Sequence, residues 1–419
     1  MKKLLSTLLA LMLALSLNAA FAENSPFAGG AGTEADPYQI ATADQLLALS
    51  AAVNDGSANG YYGTHFVLTD DIDLAGAAWQ PIGHLDLADQ SNTSVMFMGV
   101  LDGQGHTISN ITFSASEPIC GVGVVGINLG EVKNLNVKNV NISCTDDFSM
   151  AIGGVVGYNM GGSVSNVTLS GENSIAGVNC VGGIAGGNMG AVANCTVEGT
   201  TIRVLGDNDF SSGRIIQADM AECGGLVIGG SFGGMIDSCT AQGKVVAEGN
   251  EPIALGGVAG CLEMMDSVTN CTADVEITTV KGGHAIGGLC GFGGTHPNGN
   301  IVAESEGIVT TQYPGIIDNC SVTVKMNIPG ATHVGGLVGT GLYYFGEETA
   351  FKITNSSVKG EIVGAVTPGA VMGRAINSVI ESCTADLTLD GEALTAEVGE
   401  TLVPYESEDQ AEEAAEDAA

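Results

Sequence analysis

Carboxylates and histidines are the residues of this chain that could carry out hydrolytic or metal-dependent chemistry. Six histidines are present, and none forms the H-E-x-x-H arrangement that binds zinc in metallopeptidases. Two pairs of adjacent carboxylates, Asp70–Asp71 and Asp146–Asp147, could act as acid and base only if both members faced one substrate. Neighbouring residues of a strand face opposite sides, so neither pair predicts a shared site.

Calcium chemistry is suggested by the stretch Asp207–Gly213, which begins like a calcium-binding loop. Gly213 stands at position 7 of that loop instead of 6, and Ala218 takes the place of the bidentate glutamate. We therefore predict a solvated acidic loop. The sequence as a whole predicts no catalytic residues, no metal site, no cofactor and no enzyme activity.

The charge balance narrows the classes of partner. The chain has 12 basic and 47 acidic residues, which gives a formal net charge of −35. Such a charge repels nucleic acids and anionic membranes. Three arginines, Arg203, Arg214 and Arg374, are also too few to favour an acidic polysaccharide. We expect a monomer whose partner is a glycan or an extracellular protein.

The first 22 residues predict export. Lys2 and Lys3 precede an apolar run from Leu4 to Leu17, and Ala20-Phe21-Ala22 provides small residues before a cleavage point. This pattern is typical of a secretory signal peptide. No second apolar segment of this kind follows, so we expect no membrane span in the mature chain. A secreted, extracellular or cell-surface location is predicted.

A glycine-rich unit recurs along the chain and determines the expected fold. Its pattern is G-G-φ-φ-G followed by φ-x-N-C-x-φ-x-G, where φ is apolar. The second glycine of successive copies falls at Gly123, Gly154, Gly183, Gly225, Gly257, Gly288 and Gly336, with Ala370 in a last copy. Runs of four or five residues between Gly and Asn indicate strands and turns. Stacked copies bury one face of each strand, so we predict an all-β, right-handed parallel β-helix.

Three columns of residues are expected along one wall of this coil. The inward column is Val137, Leu169, Val197, Ala241, Ala273, Val322, Val358 and Ala385. A second inward column contains Cys195, Cys239, Cys271, Cys320 and Cys383. Between them, an outward column reads Asn136, Thr168, Thr196, Thr240, Thr272, Ser321, Ser357 and Thr384. A linear column of thiols does not converge on a metal, so we interpret the cysteines as buried packing; a bridge among the other six cysteines stays open.

Asparagines form a further column at a bend of the unit. Its members are Asn134, Asn166, Asn194, Asn270, Asn319 and Asn355. We expect each side chain to bond its neighbour on the next rung, which would form an inner polar ladder.

The repeats resemble the GLUG repeat of bacterial secreted and surface proteins. The segments "VGGIAGGNMGAVANCTVEG" (181–199), "HVGGLVGTG" (333–341) and "ITNSSVKG" (353–360) carry the resemblance most clearly, and it extends over about residues 32 to 390. The resemblance implies a β-helical, adhesin-like module, which in some immunoglobulin A peptidases accompanies a separate catalytic domain. Without a zinc motif, it implies architecture here and no peptidase activity.

The chain divides into four predicted parts. Residues 1–22 are the signal peptide, 23–118 an N-terminal cap with the first rungs, 119–390 the repeats, and 391–419 an acidic tail. Thr42 and Gln45 predict a capping box for a helix that carries Leu46, Leu49 and Val53 and ends near Gly56. This helix is expected to cover the open end of the coil.

A carbohydrate-active enzyme is the alternative, because β-helices of the pectin-lyase type are often polysaccharide lyases or hydrolases. The turn Asp102–His106 resembles one in such enzymes, but the R-x-K motif of polygalacturonases is absent. Two insertions, 293–314 and 342–350, interrupt adjacent rungs at the same point. They carry four aromatic residues that we predict to bind a ligand: Tyr313, Tyr343, Tyr344 and Phe345.

Overall fold

The structure, a computed structural model, describes residues 25–88, 95–206, 222–263, 266–294, 315–342 and 351–402. Most of these residues belong to strands of four sheets. A full turn of the chain visits the sheets in a fixed order, here numbered sheet 1 to sheet 4. The rung that begins at Ile119 illustrates this order, with strands Ile119–Val122, Val125–Asn128, Glu131–Lys133 and Asn136–Cys144.

Sheets 1 and 2 are joined by the glycine-rich turns. The strands of sheet 1 are Leu85–Asp86, Ile119–Val122, Met150–Gly153, Asn179–Gly182, Gly224–Gly225, Ile253–Gly256, His284–Gly287 and Thr332–Gly335. The strands of sheet 2 are Val125–Asn128, Val156–Asn159, Ala185–Asn188, Ile228–Phe232, Ala259–Glu263, Cys290–Gly294, Val338–Leu342, Met372–Ile376 and Val398–Leu402.

Sheets 3 and 4 meet at the asparagine bend. The strands of sheet 3 are Tyr38–Ile40, His65–Leu68, Val100–Asp102, Glu131–Lys133, Ser163–Ser165, Ala191–Ala193, Met235–Asp237, Ser267–Thr269, Ile316–Asp318, Phe351–Thr354 and Ser378–Glu381. The strands of sheet 4 are Ile72–Asp73, Thr107–Ala115, Asn136–Cys144, Thr168–Ser170, Asn173–Gly177, Thr196–Val204, Thr240–Asn250, Thr272–Lys281, Ser321–Asn327, Ser357–Val363, Thr384–Leu389 and Glu392–Ala393.

The strand pairing confirms a parallel β-helix. Neighbouring strands are parallel, except that Leu85–Asp86 and Glu392–Ala393 pair antiparallel with their neighbours. In sheet 4 the predicted columns are in register. Val137 pairs with Leu169, and the column continues rung by rung to Ala385. Its members from Val137 to Val358 are buried, whereas Ala385 in the last rung is exposed.

The cysteine column is buried as predicted from Cys195 to Cys320, whereas Cys383 in the last rung is half-buried. The Sγ atoms of Cys195, Cys239, Cys271 and Cys320 lie 3.2–3.4 Å from the carbonyl oxygen two residues earlier. Ser356 occupies the same column, and its hydroxyl donates to the Thr354 carbonyl at 2.8 Å. The position therefore carries a small side chain with a donor, which gives the carbonyl a second hydrogen bond beside the one it accepts from a backbone N–H, as Thr269 O does from Ser238 N at 3.0 Å.

The asparagine column lies on the outside of the coil, so the predicted inner ladder is wrong in its location. Asn166, Asn194, Asn270, Asn319 and Asn355 are exposed, and each has a φ between 49° and 56°. Asparagine tolerates this left-handed conformation better than other side chains do. The rung-to-rung hydrogen bonds are present on this outer edge, as in the 2.7 Å bond from Asn319 Nδ2 to Asn270 Oδ1.

The predicted glycine alignment slips by one residue in one copy. Gly225 pairs with Gly182 and Gly256, which are first glycines of their units. Leu226 therefore occupies the slot of the second glycine. Its side chain fits because the facing residue is Gly243, where a Cβ atom would come 3.0 Å from Leu226 Cδ2.

The described residues include a helix near the start of the coil and a further strand near its end. Helix α1, Ala43–Asn54, begins after Thr42, whose hydroxyl accepts from Gln45 N, and Gln45 Oε1 accepts in turn from Ala41 N. Its buried side chains Leu46, Leu49 and Val53 belong to the same continuous core as Ile40 and Phe66 of the first two strands of sheet 3. At the other end, Val398–Leu402 extends sheet 2, so the coil continues beyond the predicted boundary at residue 390. The rest of the predicted tail and the predicted signal peptide lie outside the described residues.

Candidate ligand-binding groove

A shallow groove runs along the outer face of sheet 4, and we call it the polar groove. It has a volume of about 670 Å³ and spans five rungs. Outward side chains of two columns line it, with Thr240, Thr272, Ser321, Ser357 and Thr384 in one and Gln242, Asp274, Thr323, Lys359 and Asp386 in the other. These side chains face solvent because alternate residues of each strand point into the core.

The hydroxyl column gives the groove a regular row of donors and acceptors. Successive members stand on neighbouring strands, about 4.8 Å apart. Thr272 Oγ1 lies 3.2 Å from Thr240 Oγ1, so these two hydroxyls already bond each other. A hydroxyl both donates and accepts, which suits it to a ligand that carries hydroxyl groups itself.

One edge of the groove is the outer asparagine column, and Asp237 and Asp318 stand at the last positions of the sheet 3 strands that precede it. Asp237 Oδ1 accepts from Thr269 Oγ1 at 2.6 Å and from Asn270 Nδ2 at 2.8 Å. Hydrogen bonds from Thr269 and Asn270 lower the pKa of Asp237, so it stays ionised. Asp318 has the same arrangement with Thr354 and Asn355.

The other edge of the groove carries alternating charges. Lys244 Nζ lies 2.9 Å from Glu276 Oε2, and Lys325 Nζ lies 3.7 Å from Glu361 Oε1. These four residues form the next outward column of the same strands. Their pairing leaves little net charge at this edge, so the groove is polar without being strongly charged along its length.

The predicted aromatic residues Tyr313, Tyr343, Tyr344 and Phe345 lie outside the described residues. The points at which their insertions join the coil are described. Gly294 pairs with Leu342 where the chain leaves sheet 2, and Ile316 pairs with Lys352 where it returns in sheet 3. The two insertions are therefore anchored side by side, as predicted. They are anchored in the rungs that contribute Ser321 and Ser357 to the polar groove.

The other sequence candidates stabilise turns. Asp71 Oδ1 accepts from Thr107 N at 2.8 Å and lies 3.4 Å from His106 Nδ1. Asp102 accepts from Gln104 N and Asn134 Nδ2, so the turn at 102–106 is held by its own aspartate. Asp146 Oδ1 accepts from Phe148 N. The calcium-like stretch 207–213 lies outside the described residues. Among the residues that the structure describes, no group of three or more His, Cys, Asp or Glu side chains could hold a metal ion.

A buried polar ladder at the corner between sheets 2 and 3 was missed by the sequence analysis. Asn128 Nδ2 donates to Asn159 Oδ1, and Asn159 Nδ2 donates to Asn188 Oδ1, both at 2.9 Å. The ladder continues through Ser231 to Asp266. The "N-x-G" that recurs at the ends of the first three strands of sheet 2 was the available signal, because the side chains of Asn128 and Asn188 also accept from the glycine two residues later.

Ser231 also stands in a G-x-S-x-G spacing, Gly229 to Gly233, which is the spacing of a hydrolase nucleophile elbow. A nucleophile elbow is an exposed turn between a strand and a helix. Ser231 is instead buried within the strand Ile228–Phe232, and its hydroxyl donates to Asp266 at 2.6 Å. The serine is therefore a link in the buried ladder.

The comparisons with known proteins agree with this architecture. The fold is that of a parallel β-helix protein, and its rungs carry a recognised repeat. The GLUG motif matches residues 148–175, 177–203 and 330–363. Three segments of this β-helix therefore match the GLUG motif.

Two curated relatives share part of the sequence. Halomucin of Haloquadratum walsbyi is 32% identical over 162 residues, which are 38% of this chain and 2% of that protein. A "putative Gly-rich membrane protein" of Evansella cellulosilytica is 31% identical over 185 residues, 42% of this chain and 16% of that protein. The chain thus spans less than a fifth of the length of either relative.

A solved structure shares the fold. The crystal structure described as a "putative immunoglobulin A1 protease from Bacteroides ovatus" superposes with a TM-score of 0.51 and 22% identity. The match covers 72% of this chain and 80% of that one. Among the described residues, no helix is both long enough and apolar enough to cross a bilayer.

Proposed function

We propose that this protein is a non-catalytic, extracellular binding module that holds a neutral, hydroxyl-rich ligand, such as a glycan, in the polar groove. The observation that carries the proposal is the pair of polar columns along five consecutive rungs. A chain of sugars has a repeated structure, and a groove with the same side chains on every rung offers it repeated hydrogen bonds. The volume of the groove also falls in the usual range for ligand sites.

The charge of the protein favours a neutral ligand. The chain as a whole carries a formal charge of −35, and Asp274 and Asp386 add carboxylates inside the groove. An acidic polysaccharide would be repelled by this field. Lys359 is the cationic side chain among the groove-lining residues.

The positions at which the two insertions join the coil support the outer face of sheet 4 as the binding face. Ile316–Asp318 is three residues long and separates the end of the first insertion from the edge of the groove. A strand of that length spans about 10 Å. The aromatic residues Tyr313, Tyr343, Tyr344 and Phe345 belong to these insertions, and we keep them as predicted contributors to binding.

The spacing of the carboxylates in the groove argues against a glycosidase. Asp274 and Asp386 stand in one column with Thr323 and Lys359 between them, three rungs apart. Three rungs correspond to about 14 Å. The paired carboxylates of glycoside hydrolases lie about 5–9.5 Å apart. This distance supports binding without hydrolysis.

The proposed location outside the cell has two supports. The first 22 residues have the pattern of a signal peptide. Two relatives are named halomucin and Gly-rich membrane protein, names that indicate a mucin-like protein and a membrane protein. Both relatives are much longer than this chain, so the shared part is proposed to be a module with the same setting.

Co-sedimentation with insoluble neutral polysaccharides tests the proposal. The protein, residues 23–419, is mixed with each polysaccharide; the bound fraction and the release of new reducing ends are both measured. We expect binding without new reducing ends. Release of reducing or unsaturated ends would favour the carbohydrate-active enzyme instead, and an absence of binding to every polysaccharide would contradict the glycan proposal.

A further inference from the structure

A second cluster of buried side chains lies on the outer side of the coil, between sheets 1 and 2. It is separate from the main core and consists of Cys180, Cys223, Ala254 and Cys261, with Phe232, Ile253 and Phe292 packed against it. The polar groove lies on sheet 4, so this cluster takes no part in the proposed binding site. The cluster therefore brings three thiols together in an apolar environment.

The geometry points to Cys180 and Cys223 as a disulfide-forming pair. Their Sγ atoms are 3.3 Å apart. The residues that follow them, Val181 and Gly224, are paired in sheet 1, so Cys180 lies in one strand and Cys223 directly precedes the neighbouring parallel strand. Neighbouring strands are about 4.8 Å apart, and Cα atoms of a disulfide are usually about 4.4–6.8 Å apart. A bond between the two sulfurs therefore needs side-chain rotation and little backbone movement.

The local backbone explains why these two thiols approach each other. Cys180 has a φ of 52°, a left-handed conformation within an otherwise extended strand, which redirects its side chain. Gly230 faces both thiols: a Cβ atom there would lie 3.0 Å from Cys180 Sγ and 3.1 Å from Cys223 Sγ. Glycine at this position leaves the space that the two sulfurs occupy.

The bond would link two rungs across a long insertion. Residues 207–221 lie between Cys180 and Cys223 in the sequence, after the strand Thr196–Val204 and before Gly224–Gly225. A covalent link between the neighbouring rungs would close this segment into a loop. Closing a long loop lowers the entropy of the unfolded chain and stabilises the fold.

The reaction needs a thiol–disulfide oxidant. A small-molecule disulfide accepts two electrons and two protons from the thiols of Cys180 and Cys223, forms the new S–S bond and leaves as two thiols. Contacts with Cys180 and Cys261 raise the pKa of Cys223 well above its usual value. Although a hydrogen bond with Cys223 lowers it, burial raises the pKa of Cys261 to about 11. Thiolate is the reactive form, so the bond should form during folding, before burial, and then resist exchange.

The test compares protein refolded with and without oxidised glutathione. The full chain is refolded, denatured without reductant and alkylated with one reagent; it is then reduced and alkylated with a second, and each cysteine is identified by peptide mass spectrometry. We expect the second label on Cys180 and Cys223 after refolding with oxidised glutathione. Cys195, Cys239, Cys271 and Cys320, whose thiols lie against backbone carbonyls, should carry the first label, because the proposal places no disulfide among them.

Two variants keep the proposal falsifiable. Cys261→Ser should retain the Cys180–Cys223 bridge and its protection from the first label. Cys223→Ser should lose the bridge, so it should melt at the same temperature with and without the oxidant. The wild-type protein should melt at a higher temperature after oxidation. The first label on both Cys180 and Cys223 of the oxidised wild-type protein, or a bridge between Cys223 and Cys261, would overturn the assignment.

Discussion

The hydroxyl group of Ser231 donates a 2.6 Å hydrogen bond to Oδ1 of Asp266, whose side chain is almost completely buried. The same oxygen accepts from Gly234 N, also at 2.6 Å. Asp266 is the acceptor at which the buried ladder from Asn128 ends. Burial raises the pKa of Asp266 to about 7, although the hydrogen bonds from Ser231 and Gly234 act in the opposite direction.

This raised pKa makes the stability of the protein depend on pH. An aspartate in the unfolded chain has its pKa near 3.8. The contribution of Asp266 to stability is therefore fully present below pH 3.8 and is lost as the pH rises through 7. Between pH 5 and pH 8, this loss should be about 2–3 kcal/mol. Asp266→Asn should remove this dependence of stability on pH, because the amide is neutral at every pH in this range. The amide oxygen can still accept the hydrogen bonds from Ser231 and Gly234.

Melting temperatures at pH 5 and pH 8 measure this effect. We expect Asp266→Asn to raise the melting temperature more at pH 8 than at pH 5, relative to the wild-type protein. Asp237→Asn is the matched control. Its hydrogen bonds lower the pKa of Asp237, so it is ionised throughout this range and the variant should shift both melting temperatures alike. Equal shifts for Asp266→Asn at the two pH values would contradict a buried, titrating carboxyl group.

The buried ladder should matter more to stability than the exposed one. Asn159→Ala removes the partner of both Asn128 Nδ2 and Asn188 Oδ1. Asn188 Oδ1 keeps its bond from Gly190 N and Asn128 Nδ2 keeps Ser163 O at 3.4 Å, so the loss of two buried hydrogen bonds should cost about 1–3 kcal/mol. Asn166→Ala alters the outer ladder, where solvent can replace the lost bond and the left-handed conformation costs about 1 kcal/mol. Urea unfolding of both variants measures the change in the free energy of unfolding. An equal decrease for the two variants would show that the buried ladder contributes no more to stability than the exposed one.

The cysteine column should accept serine better than valine. Cys271 Sγ lies 3.2 Å from the Thr269 carbonyl, and Ser356 makes the equivalent bond from its own rung. Cys271→Ser keeps a donor and should change the free energy of unfolding by less than about 1 kcal/mol. Cys271→Val removes this donor, although the Thr269 oxygen still accepts from Ser238 N, and should cost about 0.5–1.5 kcal/mol. The opposite order in chemical denaturation would show that the column is selected for apolar packing alone.

Much of the fold could be predicted because a parallel coil repeats its side-chain environment on every rung. The register of the sheet 4 columns follows from the positions of Val, Thr and Cys alone, and Val197 does pair with Ala241 despite the insertion between them. The alignment fails by one residue at Leu226. There the spacing to the preceding unit is interrupted by an insertion, and Gly243 on the facing strand makes room for a large side chain.

The candidate site was less accessible to sequence reasoning. Asparagine was recognised as a ladder residue, but its φ decides whether it faces outward, as Asn166 does. The buried asparagines such as Asn159 lie at the end of extended strands and face inward. The polar groove depends on the shape of sheet 4 over five rungs, which no single repeat encodes. The aromatic residues of the insertions stay a prediction.

Binding by groove variants tests the central claim most directly. A glycan array is probed with the protein, residues 23–419, beside the variant Thr272→Val with Ser357→Ala, which removes two groove hydroxyls. The control variant, Thr168→Val with Thr196→Val, removes two hydroxyls of the same column outside the groove. With each lost hydrogen bond worth about 0.5–1.5 kcal/mol, we expect roughly tenfold weaker binding of neutral glycans by the groove variant. The control should bind like the wild-type protein; equal binding by all three proteins would contradict the groove as the binding site.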